Sequence, residues 1–338
     1  MNRSKVLITG GRGYMGSALA EILARNGSEV ISLDRVPAGG SWSQSVPGNR
    51  HIEADILDPG DWKGLLTDVT AVVHLAAIVG DPACGVNPER TWQTNYMGTI
   101  RVAEACRRYG VGRLVFASTC SNYGFTTSGE ADVWSPLRPQ SLYAETKVLA
   151  EHYLLSPHDA GPTPCILRFA TLYGLSHRMR FDLAVNIMTA LAVAEGRIVV
   201  HGGDQWRPFL HVWDAAAAIA CVIDTPSWPR TLVHNAGSQR ENYRMSSVAQ
   251  IIAEEVPGTV IDVESEIADT RDYRVRFDGY ARTFRFTPAR RLVDGVREIR
   301  NAMQAGRYDD FRAAHYSDYL TELSADDRLA PATPSGDA

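Results

Sequence analysis

The sequence is poor in several features that would otherwise organise a protein. It holds five cysteines in 338 residues, at positions 84, 106, 120, 165 and 221. Their number is odd, they lie far apart, and no CxxC or Cys/His spacing occurs. That excludes a disulfide framework and gives no zinc or redox motif. No apolar run approaches the roughly 18 residues of a membrane-spanning helix. The opening MNRSKVLITGG is basic, but its VLI run is too short for a signal peptide. Long basic runs are missing too, and 34 Lys+Arg against 39 Asp+Glu leave a net charge of −5. Phosphate backbones demand a basic face, so nucleic acid is not an expected partner. The expectation is a soluble, cytoplasmic, metal-free chain with reduced thiols and no membrane contact. Its 45% hydrophobic content and its length allow a well-buried core.

What is present is an alternation of short apolar runs with amphipathic stretches. Strands are expected at Lys5–Thr9, Glu29–Leu33, His51–Ala54, Ala71–Leu75, Arg113–Ala117 and Pro164–Phe169. Helices are expected at Tyr14–Asn26, Thr91–Tyr109 and Leu142–Leu155. Such alternation implies right-handed crossovers and a parallel sheet, that is, an α/β doubly wound (Rossmann) architecture. After Leu172 the pattern turns irregular, with helices near Phe181–Glu195, Ala215–Ile223 and Ser246–Glu255 and extended stretches at Arg197–His201 and Thr231–Asn235. We expect a dinucleotide-binding domain over 1–172 with a returning piece at about 212–236. A smaller, mixed α/β substrate-binding domain is expected over 173–211 and 237–323. The loop 37–49 has no periodicity, and 324–338 reads as a polar, disordered tail.

Chemistry gathers at the strand ends. Gly10, Gly13 and Gly16 form GxxGxxG between the first strand and the first helix. There the backbone can approach a pyrophosphate seated on the helix N-terminus. Asp34 ends the second strand, where a carboxylate accepts from the adenosine ribose hydroxyls and disfavours a 2′-phosphate. Arg12 and Arg35 pull the other way, so NAD is favoured and NADP is left open. Asp55 follows the third strand and suits the adenine amino group. Tyr143 and Lys147 stand at i and i+4 and share a helix face. An ammonium near a phenol is expected to lower the phenol's pKa from about 10 and make Tyr143 a usable acid or base. Ser118, Thr119 and Ser121 follow the fifth strand, at the edge where such sheets bind ligands.

These pieces resemble the extended short-chain dehydrogenase/reductases, in the branch of NAD-dependent epimerases and dehydratases that act on nucleotide sugars. The resemblance rests on TGGRGYMGS (9–17), LD (33–34), AD (54–55), HLAA (74–77), NYMGT (95–99), FASTCSNYG (116–124), YAETK (143–147), LRFATLYG (167–174) and GGDQWRPFLHVWDAA (202–216). They stand in the family's order over roughly residues 5–290. The resemblance implies Thr119, Tyr143 and Lys147 as the catalytic set. It implies a dinucleotide site at Gly10, Gly13, Tyr14, Met15, Gly16, Asp34, Arg35, Asp55, Ile56, Leu75, Ala76, Ala77, Asn95, Tyr143 and Lys147, with Asn95 supporting the lysine. It further implies a nucleotide-diphosphate sugar as substrate, gripped by Arg207 and Arg271, with Thr119 at the sugar. Arg180 and Asn186, in SHRMRFDLAVN (176–186), are candidates to face sugar or phosphates. A homodimer built on helices at about 91–109 and 142–155 is the implied assembly.

Departures from the family pattern narrow the reaction. The 4,6-dehydratases carry Asp-Glu directly after the Ser/Thr, because eliminating water needs one group to take a proton and another to give one. Here those positions hold Cys120 and Ser121. Decarboxylases of this kind usually keep a Glu where Ser121 stands, whereas 4-epimerases carry small or hydroxylated residues there. The expectation is an NAD-dependent 4-epimerase working through a transient 4-keto sugar. A 4-ketoreductase using NAD(P)H is the alternative, ahead of a dehydratase or a non-catalytic dinucleotide binder. Cys120, with no His nearby in sequence, reads as a buried filler, and His74 as part of a structural turn.

Overall fold

The computed structural model describes residues 4–35, 48–126, 129–158, 161–226, 232–264 and 271–329. Most of the loop expected at 37–49, Thr231 and the residues beyond 329 lie outside the described residues.

Seven strands form one parallel sheet: β1 (Lys5–Thr9), β2 (Glu29–Asp34), β3 (Asn49–Glu53), β4 (Ala71–His74), β5 (Arg113–Thr119), β6 (Thr163–Phe169) and the later β10 (Leu232–Ala236). Their order is β10-β6-β5-β4-β1-β2-β3. Val6, Leu7, Ile8, Val72, Val73, Leu114 and Val115 are fully buried. Strands covered on both faces need such unbroken apolar runs, which explains why these segments do not alternate. On one face lie α1 (Tyr14–Arg25) and α8 (Val212–Asp224), which share a core with β1, β5 and β6. On the other lie α5 (Gly98–Arg108) and α6 (Leu142–Leu155). Strand order reverses between β1 and β4, which opens a crevice at the C-terminal ends of the strands.

Short helices follow: α2 (Pro59–Trp62), and α3 (Asp81–Val86) and α4 (Pro88–Trp92), which line that crevice. The helix expected at 91–109 is interrupted. A turn of π-helix over Gln93–Met97 joins α4 to α5, a device often found at functional sites.

The rest of the described chain builds a second core. A three-stranded sheet runs β11 (Asn242–Arg244), β9 (Trp206–His211), β7 (Thr171–Tyr173), and β8 (Arg197–His201) pairs with β12 (Val260–Glu264). Helices α7 (Ala184–Glu195), α9 (Met245–Glu255) and α11 (Leu292–Gln304) pack around Tyr173, Phe209 and Ile252. A seven-residue helix, α10 (Asp278–Phe284), leans on β10.

One expectation is corrected over residues 324–329. A polar tail was expected from Ser324, but α12 (Asp318–Leu329) is helical through that point and packs against α3. Its carboxylates at 318, 322 and 326 recur every four residues and sit on the rest of the protein, which a polar composition alone does not reveal.

Candidate functional site

The loop after β1 makes a cradle. Gly10 has φ +71, and its amide donates to the Leu33 carbonyl at 2.8 Å. A Cβ there would meet the Ala76 nitrogen at 2.7 Å, and one at Gly16 would meet the Gly10 carbonyl at 2.1 Å. Gly13 caps α1 without any side-chain hydrogen bond, so the first amides of a twelve-residue helix face the cleft uncapped. An anion is what such a terminus accepts. The cleft beyond it has a volume of about 950 Å³, at the upper end for ligand sites. Leu33, Ala54, Ile56, Leu75, Ala76 and Ala77 give it apolar walls. These features fit a dinucleotide.

Charge is managed closely at the adenosine end. Asp34 Oδ2 accepts from the Arg12 amide at 2.9 Å, and burial pushes its carboxyl upward. Asp55 Oδ1 accepts from the Leu57 amide at 2.9 Å. Arg35 does line the cleft, but it faces carboxylates: Asp55 at 3.9 Å and Glu322 of α12 at 3.5 Å.

The three residues expected to be catalytic come together where β5 ends. Thr119 caps a 3₁₀ turn, its Oγ1 accepting from the Ser121 amide at 3.1 Å, and its side chain stands beside the Tyr143 phenol, whose ionised form it favours. Tyr143 packs on Ile78, Ala83 and Cys84. Lys147, one turn along α6, donates from Nζ to the Ala117 carbonyl at 2.9 Å, with Nζ 4.8 Å above the Phe116 ring and 5.9 Å from the Tyr143 ring.

The expected lowering of the Tyr143 pKa is not what this geometry produces. Desolvation holds the phenol well above its usual range, with the neighbouring Cys84 adding to the effect. The Lys147 ammonium is turned to the Ala117 carbonyl rather than to the phenol, and burial brings it down to about 8. Lys147 therefore weakens the fold. Below pH 8 both folded and unfolded chains carry its proton, and the burial cost is present in full. Between about 8 and 10.5 only the unfolded chain holds the proton, so stability from this group rises with pH. We expect Lys147→Met to lose activity and yet gain roughly 1–2 kcal/mol at pH 7, after the Ala117 carbonyl loses its donor. Denaturant melts of both proteins at pH 7 and 10.5 check this. A gain that persists undiminished at pH 10.5 would contradict it.

Beneath the triplet lies a buried ionic network. Arg168 forks onto Glu151, with Nε 3.0 Å from Oε1 and Nη2 2.6 Å from Oε2. Ser118 Oγ and Asn122 Nδ2 donate to the same carboxylate, the latter at 2.9 Å. Arg168 also donates to the Tyr123 hydroxyl at 3.0 Å, which in turn donates to Asn235 at 2.6 Å. Glu151 is fully buried and Arg168 nearly so. The network ties the end of β5 to α6, four residues beyond Lys147.

Three expected site residues belong to the frame instead. Asn95 lies in the π turn, where it brackets Ile78 by accepting from its amide at 2.8 Å and donating to its carbonyl at 2.9 Å. It fixes the loop after β4 and leaves the cleft wall to Thr94. Asn186 is fully buried, donating to the Arg180 carbonyl at 2.8 Å and to the Tyr14 hydroxyl at 3.2 Å, and accepting from the Gly174 amide at 2.9 Å. Arg207 points along β9, donating to the carbonyls of Trp206 and Arg271 and lying 5.2 Å from the Tyr273 ring centroid. None of the three is among the described residues of the cleft wall. In each case a buried polar side chain finds backbone partners, and these outcompete an opening toward the ligand.

Arg180 and Arg271 do reach the cleft. Arg180 forks onto Asp182, both contacts at 2.9 Å, and meets Asp318 at 2.8 Å. Arg271 pairs with Asp81 at 2.6 Å. Tyr14 and Met15 line it too, and Tyr14 donates to the Gly174 carbonyl at 2.5 Å, linking α1 to the second core. His74 is buried between the hydroxyls of Thr9, at 2.7 Å, and Thr99, at 3.0 Å, and burial lowers it to about 3. Cys120 is enclosed with its Sγ on the Arg168 carbonyl at 3.2 Å, and burial raises its thiol. Sequence reasoning missed Tyr273, Arg90 and the α12 carboxylates Asp318 and Glu322, all of which line the cleft. The four-residue acidic spacing of α12 was the available signal. Among the described residues no helix is long and apolar enough to cross a membrane, and no cluster of metal-ligating side chains occurs.

Comparison with known proteins agrees with this arrangement. Residues 6–236 match the model of the NAD dependent epimerase/dehydratase family. A UDP-glucose 4-epimerase of Streptomyces lividans is 31% identical over 252 residues, 69% of this chain and 76% of the relative. UDP-glucuronic acid decarboxylase 1 of Arabidopsis thaliana is 26% identical, over 79% of this chain and 62% of the relative. The crystal structure of the Thermus thermophilus UDP-glucose 4-epimerase complex with NAD superposes with a TM-score of 0.77 at 26% identity, covering 89% of this chain and 99% of that one.

Proposed function

This chain belongs to the NAD dependent epimerase/dehydratase family and is an NAD-using enzyme of the extended short-chain dehydrogenase/reductase type, and from that premise we propose that it is a 4-epimerase of a nucleotide-diphosphate hexose. The observation that carries this reading is the pair after Thr119. Cys120 is sealed against the Arg168 carbonyl, and the Ser121 hydroxyl lies 3.2 Å from that of Tyr273. Neither supplies the acid and base that an elimination needs. What the triplet can do is move one proton at one oxygen while a hydride leaves the adjacent carbon.

NAD, when bound, supplies the hydride acceptor at the sugar's C4. The chain's own residues do the rest. The Gly10–Gly16 cradle and the α1 terminus would hold the pyrophosphate, with Asp34 and Asp55 at the adenosine. Tyr143, as the phenolate that the positive charge of a bound nicotinamide would favour against the burial, would take the C4 hydroxyl proton and, as the phenol, return it when the sugar is reduced. Thr119, beside Tyr143, orients that oxygen. Lys147 brings a cation near the phenol and a donor to the nicotinamide ribose. Arg180 and Arg271, both on the cleft wall and both paired with carboxylates, are the cations we assign to the substrate diphosphate, since a guanidinium grips phosphate oxygens two at a time. We assign residues 1–172 with 212–236 to the dinucleotide half and the second core to the sugar nucleotide. A homodimer through α5 and α6 belongs to the same proposal; Trp92, at the start of that helical stretch, is 36% exposed.

The test is retention of label. An NDP-hexose carrying deuterium at C4 should convert to its C4 epimer with no added cofactor, and the deuterium should stay on C4. A requirement for added NADH or NADPH at each turnover, or washout of the label into an added NAD pool, would make it a ketoreductase.

A further inference from the structure

Helix α12 crosses the mouth of the cleft on its carboxylates. Asp318 pairs with Arg178 at 2.7 Å and Arg180 at 2.8 Å. Four residues on, Glu322 lies 3.5 Å from both Arg35 and Arg90. Asp326, another four on, accepts from Asn87 at 2.8 Å. Asp318, Thr321, Glu322, Ser324 and Ala325 line the same cleft as Asp34 and Asp55.

Position gives Glu322 a particular consequence. Arg35 directly follows the carboxylate that meets the adenosine ribose, and a guanidinium there is what a 2′-phosphate requires. Here that guanidinium is held between Asp55 and Glu322, and Glu322 itself is 13% exposed. A carboxylate so shielded from water acts strongly on its neighbours. A 2′-phosphate, with nearly two negative charges, would have to displace Glu322 from Arg35 and then sit beside three carboxylates. A 2′-hydroxyl needs none of this.

We propose that Glu322, reaching the cofactor cleft from α12, is a specificity residue that excludes NADP by occupying Arg35. This rests on the dinucleotide reading of the cleft. The test is calorimetric titration of the full-length protein, stripped of bound dinucleotide, with NADH and with NADPH at one fixed salt concentration. The isosteric Glu322→Gln should raise NADPH affinity about tenfold and leave NADH within about twofold, since removing like charge at close range is worth at least that much. Glu322→Asp, which keeps the charge, should keep the wild-type preference. Adding Arg35→Gln to Glu322→Gln should cancel the gain, because the freed guanidinium is its source. An unchanged NADPH-to-NADH ratio in Glu322→Gln, or an equal gain for both, overturns the proposal. Wild-type protein that binds neither nucleotide overturns the dinucleotide reading as well, and so is told apart from a failure of Glu322 alone.

Discussion

Replacing Tyr143 by phenylalanine should lower kcat by about a thousandfold or more while the protein folds normally and keeps its dinucleotide. Phenylalanine retains the ring that packs on Ile78, Ala83 and Cys84 and removes only the hydroxyl beside Thr119. Among the described residues nothing beside Thr119 can replace it. The Thr119 hydroxyl accepts from the Ser121 amide, which cannot take up a proton. Ser121 faces Tyr273, and Cys120 faces a carbonyl. Substrate KM should move little, because the loss falls on the transition state. The measurement is kcat and KM with the C4-labelled sugar nucleotide, beside the dinucleotide content and melting temperature of both proteins. Turnover within tenfold of wild type would mean another group moves the proton, and a protein that only senses redox state would show no turnover to lose.

The second large effect concerns the ionic network below the triplet. Arg168→Met leaves the Glu151 carboxylate fully buried with only Ser118 and Asn122 as donors. Stranding one member of a buried pair costs about 3–5 kcal/mol. Replacing both, as Glu151→Leu with Arg168→Met, should restore most of that stability, because no uncompensated charge remains. Chemical denaturation should place the single variant's midpoint well below wild type and the double variant's near it. A double variant as unstable as the single would mean the pair contributes packing rather than charge balance. The double variant should still lose activity, since Ser118 and Asn122 then no longer tie the end of β5 to α6.

These two predictions concern residues that differ in how readable they were. The alternation of strands and helices, the Gly10–Gly16 turn, and the Tyr143–Lys147 spacing are local patterns, and local geometry follows from them directly. Thr119 was singled out from Ser118 and Ser121 by the family resemblance, and it is the last residue of β5. Asn95, Asn186 and Arg207 stand off the cleft wall because a motif fixes where a residue stands and not which way a buried polar group turns. Each turned to backbone atoms within its own frame. The Tyr143 pKa was misjudged for a related reason. Spacing brings Lys147 near the phenol, but the Ala117 carbonyl, thirty residues away in sequence, holds the ammonium. Helix α12 was unread because its partners are remote: Glu322 meets Arg35 across 287 positions.

The strand order also bears on how the chain is made. β6 is finished long before its neighbour β10, whose register runs from Leu232 opposite Cys165 to Ala236 opposite Phe169. Synthesis proceeds from the N-terminus, so a nascent chain that has folded its first six strands shows β6 as a bare edge. That edge is apolar, with Cys165, Ile166 and Leu167 fully buried only in the finished protein. Until the ribosome has delivered β10, two such chains on one messenger can pair edge to edge. A fragment that stops before β10 would carry that hazard permanently.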